Sequence, residues 1–508
     1  MYDQNYLANS LRKASINADD RVFLQDSNTA ATTSYGAFFA RAEQMAAALV
    51  SGGVTPGDRV AVQAPKTQSM LELYVGTILA GAVFLPLNTS YTPSEVSYFL
   101  SDAAPAVLVC DPRAAAALSP IAQNCNVGSV LTLAADETGT LPDARDAQAP
   151  GFAAVARAAD DLAAILYTSG TTGRSKGAML SHGALASNSQ VLRDYWQFTS
   201  DDVLIHALPI FHTHGLFVVT NISLMAGSKC IFMSGFDADA ILDAMPEATA
   251  LMGVPTFYVR LLDAPNLAQA ARNMRVFISG SAPLLAETHD RWRSITGHAI
   301  LERYGMTETN MNTSNPYAGD RRAGTVGFAL PGIEVIITNP ETGTAVAHGD
   351  IGLIEVRGPN VFSGYWNMPE KTAEELRENG FFITGDLGKF DSDGYLEIVG
   401  RSKDLVISGG YNIYPKEIEE VLDAIDGVIE SAVIGLPHKD FGEAVVAVIV
   451  TAATNPATAE AIQAVVNEKL ARFKHPKKIV FVDELPRNAM AKVQKAELRK
   501  TYATLLES

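Results

Sequence analysis

Short apolar runs alternate with helical patterns along most of this chain, and that alternation limits the fold more than any other feature. RVAVQAP (59–65), AVLVC (106–110) and LAAIL (162–166) read as buried strands, and FFARAEQMAAALVSGG (38–53) has a helical period. Strands rich in Val, Ile and Leu that are separated by helices build parallel sheets covered on both faces. The expectation is an α/β protein with doubly wound sheets. GAVFLPLN (81–88) adds a strand between two helical stretches and reads as plain core. The Ala/Pro/Gly/Asp-rich stretch 134–152 is expected to be a surface loop.

A chain of 508 residues exceeds what one core usually fills, so more than one domain is expected. The pattern changes near GRSKD (400–404), between LEIV and LVI. Beyond it come YPKEIEEVLDAIDGV, an amphipathic helix opened by Pro415, then SAVIGLP, AVVAVIV, a helix across 458–471 and KIVFV. These compose a small α+β domain. The boundaries expected are 1–402 for a large N-terminal domain and 403–508 for a small one.

Composition excludes several classes. With 47% hydrophobic and 19% charged residues the chain is globular. A net charge of −17 argues against nucleic acid as a partner, because phosphate backbones are bound by basic patches. Cys110, Cys125 and Cys230 are scattered, with no CxxC, so neither a disulfide framework nor a zinc site is expected, and a cytoplasmic location fits. No run is long enough to span a bilayer and the N-terminus carries no secretory pattern, so no membrane partner is expected.

The densest chemistry lies in YTSGTTGRSKG (167–177), directly behind LAAIL. Its glycines permit tight turns that present N–H groups, its hydroxyls add donors, and Arg174 and Lys176 add charge. A strand, a glycine-rich donor loop and a cation together form a phosphate-binding arrangement. It is not the Walker form, since Gly177 follows the lysine where Ser or Thr would hold magnesium.

This loop resembles the signature of the adenylate-forming superfamily, which includes the acyl-CoA synthetases. LAGAVFLPLN (79–88), LPIFHTHG (208–215), SGSAPL (279–284), ERYGMTET (302–309), TGDLG (384–388), GRSKD (400–404) and PRNAMAK (486–492) continue the resemblance in order. It implies a large N-terminal domain with a small, mobile C-terminal one, and a ligase that joins a carboxylate to ATP and passes the acyl-adenylate to a thiol. ATP, magnesium and coenzyme A are the implied cofactors and co-substrates. Thr168, Ser169, Gly170, Thr171, Thr172, Gly173 and Lys176 match the phosphate loop. Glu308 matches the magnesium carboxylate and Thr307 a hydroxyl on the phosphates. Tyr304 matches the adenine-stacking ring, with Ser281, Ala282, Pro283, Glu302 and Gly305 around it. Asp386 and Arg401 match the ribose ligands, and Lys403 the hinge. Gly409 and Gly410 match the pantetheine loop, Lys492 the catalytic lysine, and His212 a residue that orients the carboxylate. Lys492 is also open to acylation, which would remove its charge.

Within the superfamily, IFHTHG, the context of Arg260 and ERYGMTETNMNTSNPY look like the malonyl-CoA synthetases. On that resemblance Arg260 would meet a second carboxylate, with Thr213, Ser279 and Met306 limiting the acid's size; by helical geometry alone Arg260 faces solvent as readily. Malonate is the implied acid and methylmalonate the next candidate. The alternatives are a ligase for a monocarboxylic acid and a non-catalytic relative. The latter rests on Ala491, where the family commonly has glycine, and on Ile407, where many relatives have lysine.

Overall fold

The computed structural model describes every residue except 1, 169–174, 341, 409–410, 439–440, 489–491 and 507–508. The chain divides into two compact units, one of residues 1–335 and 356–382, the other of 336–355 and 383–508. The expected boundary at 402/403 falls inside the second unit.

The first unit holds the α/β layers. Among the described residues, a six-stranded sheet is built on four parallel neighbour pairs around Arg59–Gln63, Val83–Pro86 and Val107–Cys110. Helices Gln68–Leu79, Pro93–Ala103 and Pro112–Asn124 connect its successive parallel strands. Thr92 and Glu95 cap the second of these reciprocally, and Pro93 occupies its first turn. The strands are apolar on both faces because helices cover both: Leu85, Leu108 and Ile165 pack with Phe99, Leu100 and Leu118.

A nine-stranded sheet lies beside this in the same unit. Its centre is parallel, running Leu301–Met306, Val276–Ser279, Ala250–Gly253, Val203–His206, Lys229–Phe232 and Val22–Asp26. Antiparallel strands close both edges. In parallel sheets ligands gather beyond the carboxyl ends of the strands, and Ser279, Gly253 and His206 stand at such ends.

The stretch 134–152 is not the loop expected. It carries the helix Thr140–Asp146, which buries Leu141, Pro142 and Arg145. Arg145 Nη1 lies 2.8 Å from the fully buried Glu72, so an ion pair holds down a segment whose composition reads as loop.

In the second unit, the long hairpin Val428–His438 and Gly442–Thr451 carries the core. Val445, Ala447 and Ile449 face the helices Pro415–Asp423 and Ala459–Lys469, while Val446, Val448 and Val450 face Leu485 and Leu498. Period-two alternation with both faces apolar is what a sheet covered on both sides requires. Lys478–Val482 pairs with this hairpin in parallel, completing the expected α+β arrangement. No helix among the described residues is long and apolar enough to cross a membrane.

Candidate active site

Strand Leu301–Met306 pairs with Val276–Ser279 so that Ser279 lies opposite Glu302. The next residue, Arg303, is 3% exposed, and its Nε and Nη2 have no hydrogen-bond partner. A Cβ on Gly280 would fall 2.4 Å from the Arg303 Cζ, so any side chain at 280 would push this guanidinium from its place. Burial pulls the Arg303 pKa down to about 9, which still leaves the group charged at neutral pH. Nε and Nη2 form one edge of the guanidinium, the edge that takes both oxygens of a carboxylate.

Other buried polar groups lie around it. His214 begins an irregular helical turn, His214–Thr220, and Gly215 is fixed there because a Cβ would meet Pro209 O at 2.1 Å. Burial holds the His214 pKa well below the usual imidazole range, with the Arg303 charge adding to the effect, so its ring is neutral. Its Nδ1 lies 3.3 Å from Ser281 Oγ, while its Nε2 has no partner. Thr213 Oγ1 and Ser279 Oγ are likewise buried and unpartnered. Buried polar groups are almost always paired, so such a cluster suits a polar ligand or ordered water. Ser281 holds a φ of 72°, a left-handed conformation rare outside glycine and common at ligand clamps.

His212 lies next to Thr213 in the chain, and the His214 amide donates to His212 Nδ1 at 3.2 Å. Met306 is half-buried at the end of its strand. Arg260 is exposed. Helix Pro255–Leu261 buries Phe257, Tyr258 and Leu261, and leaves Arg260 exposed with its guanidinium 5.5 Å from the Phe236 ring centroid. Sequence reasoning did not single out Arg303, whose burial depends on the neighbours that strand register gives it.

On the nucleotide side, the hairpin Leu162–Thr168 and Lys176–Ser181 sets Thr168 opposite Lys176. Ser169, Gly170, Thr171, Thr172 and Gly173 lie outside the described residues. Lys176 Nζ donates to both oxygens of Glu375 at 3.1 Å. Glu308 is 5% exposed and its Oε1 accepts from the Tyr365 hydroxyl at 3.0 Å. A buried carboxylate oxygen suits magnesium, a hard cation that takes oxygen ligands, so the residue fits that role. Tyr304 and Glu302 are buried, Thr307 and Ala282 half-buried, and Pro283 exposed. Gly305 tolerates no side chain, since a Cβ would stand 1.9 Å from Asn310 O.

In the second unit, antiparallel pairing sets Asp386 directly opposite Arg401, with Arg401 Nε 2.6 Å from Asp386 Oδ1. Gly385 reaches this register through a φ of 73°. Lys403 follows in a short helical turn and is exposed, its pKa lowered first by desolvation and then by Arg401. Lys492 is exposed, and the Asn488 amide donates to its carbonyl oxygen at 2.9 Å. Gly409, Gly410 and Ala491 lie outside the described residues.

Comparison with known proteins settles the family. The model of the AMP-binding enzymes matches residues 5–366, and that of their C-terminal domain matches 417–492. This chain belongs to the AMP-binding enzymes. The ATP-bound MatB of Rhodopseudomonas palustris is 56% identical to it, with a TM-score of 0.96 over 98% of this chain and 99% of that one. A malonate–CoA ligase of Arabidopsis thaliana is 36% identical, covering 88% of this chain and 79% of its own length. A benzoate CoA ligase of Burkholderia xenovorans LB400, 29% identical, has a TM-score of 0.87 over 97% of this chain and 99% of its own. Solved structures named for different acids thus share this fold.

Proposed function

We propose that this protein is a malonyl-CoA synthetase, ligating malonate to coenzyme A with ATP through a malonyl-adenylate and releasing AMP and pyrophosphate. The observation that carries the reading is the open Nε–Nη2 edge of Arg303, buried beside Ser279 and His214. Its similarity to a malonate–CoA ligase supports the same acid. A monoacid would leave this cation buried and unpaired, whereas the far carboxylate of malonate pairs with it bidentately. We assign that carboxylate to Arg303 in place of the exposed Arg260.

His212 and Thr213 then orient the reacting carboxylate. Lys492 and the phosphate loop offset charge as that carboxylate meets the α-phosphate. Magnesium, held by Glu308, would neutralise phosphate oxygens. Tyr304 receives adenine, and Asp386 with Arg401 the ribose. Segment 403–508 turns about Lys403 to bring Gly409 and Gly410 to the pantetheine arm. The three free cysteines suit a reducing cytoplasm. Lys492, being exposed, is proposed as an acylation target, checked by intact mass before and after treatment with an acyl-CoA.

The test is thioester formation with ATP, magnesium and coenzyme A, followed by mass. Malonyl-CoA is expected, methylmalonyl-CoA more weakly, and little product from acetate, propionate, hexanoate or benzoate. A monoacid preferred over malonate overturns the assignment.

A further inference from the structure

Lys176 and Glu308 are linked through two residues to which the chemistry above gives no role. Glu375 ends the helix Pro369–Glu375, and both its oxygens accept from Lys176 Nζ at 3.1 Å. Tyr365 completes the link. Lys176 Nζ lies 4.0 Å over its ring, and its hydroxyl is 2.6 Å from Glu375 Oε2 and 3.0 Å from Glu308 Oε1. A phenol carries one proton, so at any moment it satisfies one of these two carboxylates. Lys371 reaches Glu375 Oε1 from the outer side at 3.0 Å. Burial pushes the Glu375 carboxyl up, but hydrogen bonds from Tyr365, Lys371 and Lys176 outweigh it, so the group stays ionised at neutral pH.

An ammonium held by a carboxylate through two contacts must loosen them to serve a phosphate. We infer that Glu375 is a counter-carboxylate that competes with the nucleotide's phosphates for Lys176, and that it takes the lysine back after adenylation so that pyrophosphate leaves. Pyrophosphate must depart before the thiol step is committed, and its hold on the loop depends on cations such as Lys176. A neighbouring anion that recaptures this cation weakens the product's grip without touching the acid site. The inference rests on reading Lys176 as a phosphate ligand and is independent of which acid is activated.

Calorimetry on the full chain tests it, with magnesium pyrophosphate and with magnesium α,β-methylene-ATP, which cannot transfer its adenylyl group. Glu375→Gln keeps the side-chain volume and removes the charge. It is expected to bind both ligands about 3- to 10-fold more tightly, and product inhibition by pyrophosphate should strengthen in step. Lys371→Met leaves Glu375 in place and removes a competitor for it, so pyrophosphate binding is expected to weaken about 2-fold. Unchanged or weaker binding by Glu375→Gln overturns the inference, as does tighter binding by Lys371→Met. Undiminished binding by Lys176→Met would instead remove the phosphate-ligand reading beneath it.

Discussion

A guanidinium 3% exposed, with two donors unmet, is costly to a folded chain unless something repays it when the protein works. On the reading proposed above a substrate carboxylate does so at Arg303, and truncating one partner of such a buried pair costs about 2–5 kcal/mol. Arg303→Met is therefore expected to lower kcat/KM for malonate by about 30- to 5,000-fold, with turnover of propionate unchanged or raised; steady-state kinetics on both acids checks this. Arg303→Lys keeps the charge but loses the two-donor edge, so it should recover only a small part of the activity. ERYGMTET contains Arg303, yet the sequence drew attention to Arg260, a cation in an apolar run. Phe257, Tyr258 and Leu261 turn inward on that helix and leave Arg260 on the opposite face, a choice that depends on the helix's rotation. Arg303 stands out only when Gly280 and Ser279 lie beside it, which is a matter of strand register.

Ion pairs decide elements that composition misjudges. Helix Thr140–Asp146 lies in a stretch with the residues of a loop, and the partner that fixes it, Glu72, lies far away in sequence. Arg145→Ala would leave Glu72 buried, with its nearest remaining cation, Arg41, at 3.5 Å and well exposed. We expect it to destabilise the fold by about 2–4 kcal/mol in urea unfolding. Short apolar strands were legible because their neighbours on both faces are apolar too. In the second unit, helix Pro415–Asp423 ends on Asp423, whose carboxyl is pushed up to about 7 by burial, with Glu419 and Glu430 adding. A carboxyl raised in the folded state costs nothing below the unfolded range near about 4. The cost grows as pH rises to about 7 and is constant above it. Asp423→Asn is expected to raise the unfolding midpoint at pH 8, the gain vanishing by pH 4.

At the scale of the molecule, the residues proposed for the acid and the phosphates belong to the first unit, and Asp386, Arg401, Lys403 and Lys492 to the second. The helices and strands beyond residue 403 were legible because each carries a clear period. The compact division was not, since residues 336–355 join the second unit through contacts distant in sequence. If Lys492 serves adenylation alone, Lys492→Ala should lose most malonate-dependent pyrophosphate exchange while still transferring malonyl from synthetic malonyl-adenylate to coenzyme A. Equal loss of both half-reactions would assign the lysine to structure instead.

The central claim, a dicarboxylate site built on Arg303, is tested most directly by one competition. Parent and Arg303→Met proteins are given equal malonate and propionate with ATP, magnesium and coenzyme A, and the two thioesters are separated by mass. Malonyl-CoA dominating in the parent and propionyl-CoA gaining by at least about 30-fold in the variant, roughly 2 kcal/mol of discrimination, is the result predicted. An unchanged product ratio would contradict it.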